Sequence, residues 1–129
     1  MRKVYLLLNR NPKKDEMEYL NMNLGNIEIV KPSVKVKNFW EDIDIGKAMT
    51  CNEFCKGISA IIEDVKLKEV NIAWIEGDSF IRRTLMQELR NLDIPVIYSI
   101  HGFEIEEKES ETGGHKIKSI RFIKFVECL

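Results

Sequence analysis

Short, nearly continuous apolar runs alternate along this chain with segments whose apolar residues recur at helical spacing, and that alternation restricts the fold most. Lys3, Val4, Tyr5, Leu6, Leu7 and Leu8 form one such run, residues 69–75 and 96–100 form two more, and residues 27–30 a shorter one. A strand without polar alternation is one buried on both faces, as in a parallel sheet. Between the runs, Met17, Leu20 and Leu24 share one helix face. Phe54, Ile58, Ile61, Ile62 and Val65 share a second, and Ile81, Leu85, Leu89 and Leu92 a third. Strands joined through helices pair in parallel by right-handed crossovers. The order β-α-β-loop-α-β-α-β therefore predicts a three-layer Rossmann-like α/β core with a mainly parallel sheet.

Local signals set the expected boundaries. Asn11 before Pro12 reads as an N-cap with proline at the first helical position, Asp15 and Glu16 follow in the first turn, and Gly25 ends that helix. Thr50 and Glu53 form a capping box for the second helix, and Asp78 or Ser79 caps the third. Residues 31–49 read as an irregular packed segment, punctuated by Pro32 and Gly46, anchored by Phe39, Trp40, Ile43 and Ile45, with a short strand at residues 34–36. His101 and Gly102 end the fourth strand. Residues 103–109 and 116–126 then form a C-terminal antiparallel β-hairpin, with Gly113 and Gly114 supplying the positive φ angles of its turn. No repeat or second domain is visible, so residues 1–129 are expected to form a single domain.

Charged residues make up 32% of the chain but nearly cancel, to −1, so its overall charge favours neither duplex DNA nor a polybasic membrane contact. An anion site has to be local. No apolar run approaches the roughly 20 residues of a membrane span, and the apolar start is too short for a signal peptide, so a cytoplasmic protein is expected. Cys51, Cys55 and Cys128 form no Cys-x-x-Cys pair; Cys51 and Cys55 share a helix face, but nothing completes a metal site, and neither metal nor cofactor is expected. Dinucleotide, Walker, nucleophile-elbow and zinc-protease motifs are all absent.

Ligands of such sheets bind beyond the carboxyl ends of the strands. That rim comprises Asn9, Arg10 and Asn11 after the first strand, Gly77, Asp78 and Ser79 after the third, and residues 98–101 at the end of the fourth. Arg82 and Arg83 occupy the first turn of the third helix, where the dipole contributes about half a positive charge and acids are the usual residents; they either await an anion or form a solvated pair offset by Glu76 or Glu88. Arg10 either forks onto a phosphate or is solvated, and Ser79 and Asp78 either meet the ligand or cap. Trp40 either stacks on a base or plugs the core. Ser99 belongs to the rim, as does His101, a candidate for proton transfer beside a turn role; His115, in the hairpin tip, is expected to be solvated. A reaction needing no metal fits this set: cleavage of an RNA phosphodiester by its own 2′-hydroxyl, driven by alignment and charge stabilisation.

Five segments carry a family resemblance. They are Leu6 to Arg10, Phe39 to Ile43, Glu76 to Asp78, Ile94 to Ser99 and the closing hairpin. Together they resemble the small CRISPR-associated Csx-twenty family, over nearly the whole chain in order. The resemblance implies a lone CARF-like domain, an ancillary ring nuclease of type III antiviral defence. It further implies a homodimer that binds cyclic oligoadenylate, cyclic tetra-adenylate first, across its two-fold axis and cuts it to linear products. By position it assigns Asn9 to the ligand loop and Gly77 and Asp78 to the second rim loop. The residue after the asparagine is often His in that family and is Arg10 here, which replaces a possible acid or base with a charge-stabilising group. A non-catalytic sensor or sponge, and a protein-binding adaptor of the same shape, are the alternative expectations.

Overall fold

A computed structural model describes the backbone of residues 1–110 and 113–128 and the side chains of residues 1–101, 124 and 125. The elements run β1 (Arg2–Leu7), α1 (Lys14–Leu24), β2 (Ile27–Val30), α2 (Val34–Asp44), α3 (Cys51–Leu67), β3 (Ile72–Ile75), α4 (Ser79–Arg90), β4 (Val96–Ser110) and β5 (Gly113–Cys128). The sheet has the order β2-β1-β3-β4-β5. The first four strands pair in parallel and β5 runs antiparallel to β4. This is the expected Rossmann-like arrangement with an antiparallel extension.

Alternate side chains of a strand leave opposite faces, and here both faces are covered. Tyr5, Leu7, Ala73, Ile75 and Val96 meet α2, α3 and α4 through Trp40, Ile61, Val65, Ile81 and Leu85. Val4, Leu6, Ile72, Trp74 and Ile97 meet α1 through Leu20, with Met17 and Phe125 beside them. One helix on one face and three on the other follow from right-handed crossovers running in opposite directions from β1.

Residues 31–49 depart from the expectation. Instead of a loop with a strand at residues 34–36, they contain α2, whose Val36 and Trp40 are buried and whose Phe39 and Ile43 pack beside the core. The apolar residues 36, 39, 40 and 43 have helical spacing, but two β-branched valines and the flanking Pro32 and Gly46 disguise it. Pro32 lies just ahead of the N-cap position, Ser33, and Ile45, expected as an anchor, is 75% exposed past the last turn. Phe39 lies so close to Gly57 of α3 that a Cβ there would stand 2.1 Å from its Cε1.

The ends also shift. α1 begins two residues later than expected, so Asn11 is not its cap; the backbone N–H of Lys13 instead donates to Glu16 Oε1 at 2.9 Å. Thr50 caps α3 by accepting from the Glu53 N–H, and Asp78 caps α4 by accepting from Phe80 and Ile81. β3 starts at Ile72, because Glu69 turns with a φ of 52°. His101 and Gly102 do not end β4: the strand continues to Ser110, and pairing steps from Ile100 with Lys124 to His101 with Phe122. The residue skipped, Ile123, marks a bulge in β5. Gly113 and Gly114 are paired residues of β5, and residues 111 and 112, which join the arms, lie outside the described residues, as do the side chains of His115 and Cys128.

A buried carboxylate, Asp64, anchors α3. The Tyr5 hydroxyl donates to Asp64 Oδ2 at 2.6 Å, the Ser33 N–H donates to the same oxygen at 2.9 Å, and Lys68 Nζ is 3.3 Å from Oδ1. Burial pushes the Asp64 carboxyl up, but these donors outweigh it and hold it below the usual aspartate value. Burial, with the hydrogen bond to Asp64, pushes the Tyr5 hydroxyl far above its usual value. Among the described residues, no helix is long and apolar enough to cross a membrane.

Candidate functional site

The chain leaves β1 towards β2 over one face of the sheet and returns past β1 to β3 over the other, so the loops after β1 and β3 diverge above the sheet. That divergence is the switch point at which such sheets open a crevice. A cleft of about 530 Å³ opens on the α2 side of that divergence, between Asn9, Arg10 and Asn11 of the β1 loop and Lys37, Trp40, Glu41 and Asp44 of α2; among the described residues, none of β3 or its loop lines it. Gly77, after β3, closes over Trp40: its φ is 137°, and a Cβ there would stand 3.3 Å from Trp40 Cζ2. The glycine is required by backbone conformation.

On the opposite, α1 face of the same rim, polar side chains gather around Arg10. Its Nη1 and Nη2 donate to Glu16 Oε1 and Oε2 at 2.6 and 2.7 Å, a bidentate fork onto a fully buried carboxylate. Glu76 Oε2 is 3.7 Å from Arg10 Nη2. Glu76 Oε1 in turn accepts from the Ser99 N–H at 2.7 Å, from the Ser99 hydroxyl and from Trp74 Nε1 at 2.9 Å. His101 Nε2 stands 3.7 Å from Glu16 Oε2, and the guanidinium lies 5.8 Å from the centre of the Trp74 ring. Burial pushes the Glu16 carboxyl up, yet Arg10 and the Lys13 N–H hold it below the usual glutamate value. The hydrogen bonds to Glu16, against the cost of burial, raise the Arg10 guanidinium above its own ordinary value.

This geometry changes several assignments. Arg10 does line the cleft, but its guanidinium is occupied by Glu16 and faced by Glu76, so it is no free phosphate clamp. Two carboxylates against one guanidinium make the α1 side of the rim unwelcoming to an anion. Trp40 is 3% exposed, which excludes its ring face as a stacking platform for a base. Asp78 is committed to capping, Ser79 is exposed in the first turn of α4, and neither lines the cleft. Arg82 lies over the Tyr98 ring, 4.2 Å from its centre, so a cation–π contact accounts for it rather than an incoming anion. Arg83 is exposed. Ser99 and His101 do join Arg10 in one cluster, through Glu16 and Glu76.

Those two glutamates are the site residues that sequence reasoning passed over. Glu16 reads as an ordinary first-turn acid and Glu76 as an offset for the arginines of α4. The available signal was the position of Glu76 at the carboxyl end of a buried strand, directly before Gly77. Lys37 was hidden because its helix was not recognised. Among the described residues no three His, Cys, Asp or Glu side chains gather as metal ligands, and Cys51 and Cys55 are exposed.

Against known proteins, residues 2–126 match the profile of the family described as Uncharacterized protein MJ1673 family. No curated protein and no solved structure matches.

Proposed function

The chain belongs to the MJ1673 family, and we propose that it binds a cyclic oligoadenylate, cyclic tetra-adenylate first, at the carboxyl rim of its sheet and cleaves it to linear products. The observation that carries this reading is the cleft beside the β1/β3 switch point, where Asn9 and the β1 loop face Lys37, with Glu41 and Asp44 on the same α2 wall to accept from ribose hydroxyls or a base amine. One such cleft accommodates part of a ring, and two copies about a two-fold axis match the symmetry of the ligand. Homodimerisation is thus part of the proposal. So is a place in type III antiviral signalling, which rests on the family resemblance of the segments from Leu6 to Ser99.

Cleavage proceeds by attack of a ribose 2′-hydroxyl on the adjacent phosphorus. The 2′-oxygen–phosphorus bond forms as the hydroxyl gives its proton to water, the bond from phosphorus to the 5′-oxygen breaks, a 2′,3′-cyclic phosphate remains, and the 5′-oxygen takes up a proton from water. Alignment of the 2′-oxygen with the leaving oxygen supplies much of the rate. Asn9 and Lys37 hold the phosphate from the cleft side. Arg10, clamped by Glu16, fixes the loop that presents Asn9; His101, the rim candidate for proton transfer, stands against Glu16 on the opposite face and does not line this cleft, so the protons are exchanged with water.

Binding without cleavage is the second reading, favoured by one observation: the guanidinium nearest the cleft is already neutralised by Glu16, which weakens charge stabilisation of a phosphorane-like transition state. Incubation with cyclic tetra-adenylate in the absence of added metal distinguishes the two. Linear products support the nuclease, tight binding with no turnover supports a sensor or sponge, and no binding sinks both and leaves a protein-binding role.

A further inference from the structure

The two tryptophans of this chain occupy opposite faces of the sheet and differ in one respect. Trp74 Nε1 donates to Glu76 at 2.9 Å, whereas Trp40 Nε1, also buried, has no acceptor among the described residues. A buried indole N–H ordinarily finds a partner, because leaving such a donor unpaired costs most of its desolvation energy. Trp40 lines the switch-point cleft, and the edge of its ring that carries Nε1 is the edge beneath Gly77: Cε2, bonded to Nε1, and Cζ2 are the atoms nearest that glycine. The donor is therefore held at the rim where the β1 and β3 loops diverge, with Asn9 and Lys37 lining the same cleft.

We infer that Trp40 Nε1–H is a ligand-binding donor, completed by a phosphate oxygen that enters the cleft between the β1 loop and α2. The indole acts through its N–H edge, and its face remains part of the core. The class of ligand follows from the neighbours. The cleft offers donors in Trp40 Nε1, the Lys37 ammonium and the Asn9 amide and acceptors in the Glu41 and Asp44 carboxylates, a set that suits a nucleotide, its phosphate meeting the donors and its ribose hydroxyls or base amine meeting the acids, rather than a bare anion. The identification of the phosphate as part of a cyclic oligoadenylate rests on the function proposed above; the donor site itself does not.

The test uses the whole chain labelled with ¹⁵N at the indole nitrogens, which gives two resonances, assigned with Trp40→Phe. The protein is titrated separately with cyclic tetra-adenylate, 5′-AMP and inorganic phosphate. A downfield shift of the Trp40 N–H larger than that of Trp74, with slowed hydrogen exchange, supports the site whichever of the three produces it. A shift with AMP or phosphate but not with the ring supports the site and overturns the ring-binding reading. Binding of cyclic tetra-adenylate with the Trp40 resonance unmoved overturns the site and leaves that reading standing, and no shift with any of the three overturns the site. In the variant, loss of one donor to a charged acceptor predicts affinity for the ligand that shifted the wild type weakened about tenfold or more. Unchanged affinity of a folded Trp40→Phe protein overturns the assignment.

Discussion

Arg10 grips Glu16 through two parallel hydrogen bonds of 2.6 and 2.7 Å, and Glu16 is completely buried beneath it. The pair ties the β1 loop to the first turn of α1, so it organises the rim before any ligand arrives. Removing either partner alone leaves a charge poorly compensated at a low-dielectric site. Glu16→Gln or Arg10→Ala is expected to lower unfolding free energy by about 2–4 kcal/mol, discounted at the arginine because one third of its side chain is exposed. Replacing both residues with apolar ones of similar volume should recover part of the loss. Urea unfolding of the two single variants and the double variant measures the coupling, and additive losses would show that the pair holds nothing together.

Two buried carboxyls set the acid limit of stability. Glu16 and Asp64 are both held below their ordinary values of 4.5 and 3.8 in the folded chain. The unfolded chain therefore binds protons first as pH falls, and the contribution of each carboxylate is present above its ordinary value and lost as pH drops through the lower, folded one. Stability from this source is expected to be level from neutrality to about pH 5 and to decline below it. Melting temperature measured between pH 7 and pH 3 checks this, and Glu16→Gln should flatten the decline.

Gly57→Ala tests the seam between α2 and α3. Helix propensity alone would make the variant more stable by about 1 kcal/mol. The added Cβ, however, would meet the Phe39 ring at 2.1 Å, a clash that the ring can relieve only by leaving its place against α3. Overpacking of this kind costs about 1–3 kcal/mol, so a net loss is expected, with partial rescue when Phe39→Leu is combined with it. A stabilised single variant would mean that the ring moves aside freely.

Gly77→Ala should be more harmful than Asp78→Ala next to it. The first forces a side chain onto a φ of 137° and to within 3.3 Å of Trp40, for a cost of about 1–3 kcal/mol. The second removes a cap that accepts from Phe80 and Ile81, typically about 1 kcal/mol. Thermal unfolding of both variants gives the order directly. The reverse order would place the strain of this turn in the cap.

Much of the architecture was legible from the residues. The unbroken apolar runs at Val4 to Leu7 and Ile72 to Ile75 can only be strands covered on both faces, and the stripes from Phe54 to Val65 and Ile81 to Leu92 can only be helices laid on them. Thr50 and Asp78 act as the caps their side chains advertise. Where two local signals competed, reading failed. Val34 and Val36 have strand propensity, but burial of Val36 and Trp40 against the sheet outweighs it and makes α2. Asn11 before Pro12 has the form of a cap, but Glu16 reaches the Lys13 N–H and starts α1 there instead.

The candidate site divides the same way. By itself the sequence determined a parallel α/β sheet and hence a rim that contains Asn9, Arg10, Gly77, Ser99 and His101, because the succession of strands and helices follows from local periodicity and the handedness of their crossovers from backbone chirality. Only the tertiary structure decided what those residues do there. The ion pair of Arg10 and Glu16, across 6 positions, and the hydrogen bond from Ser99 to Glu76, across 23, depend on which face of the sheet each side chain leaves, and no local pattern encodes that. The same holds for the two tryptophans. Trp74 and Trp40 are alike as letters, and packing on opposite faces gives one an acceptor in Glu76 and leaves the other's N–H at the edge of the cleft.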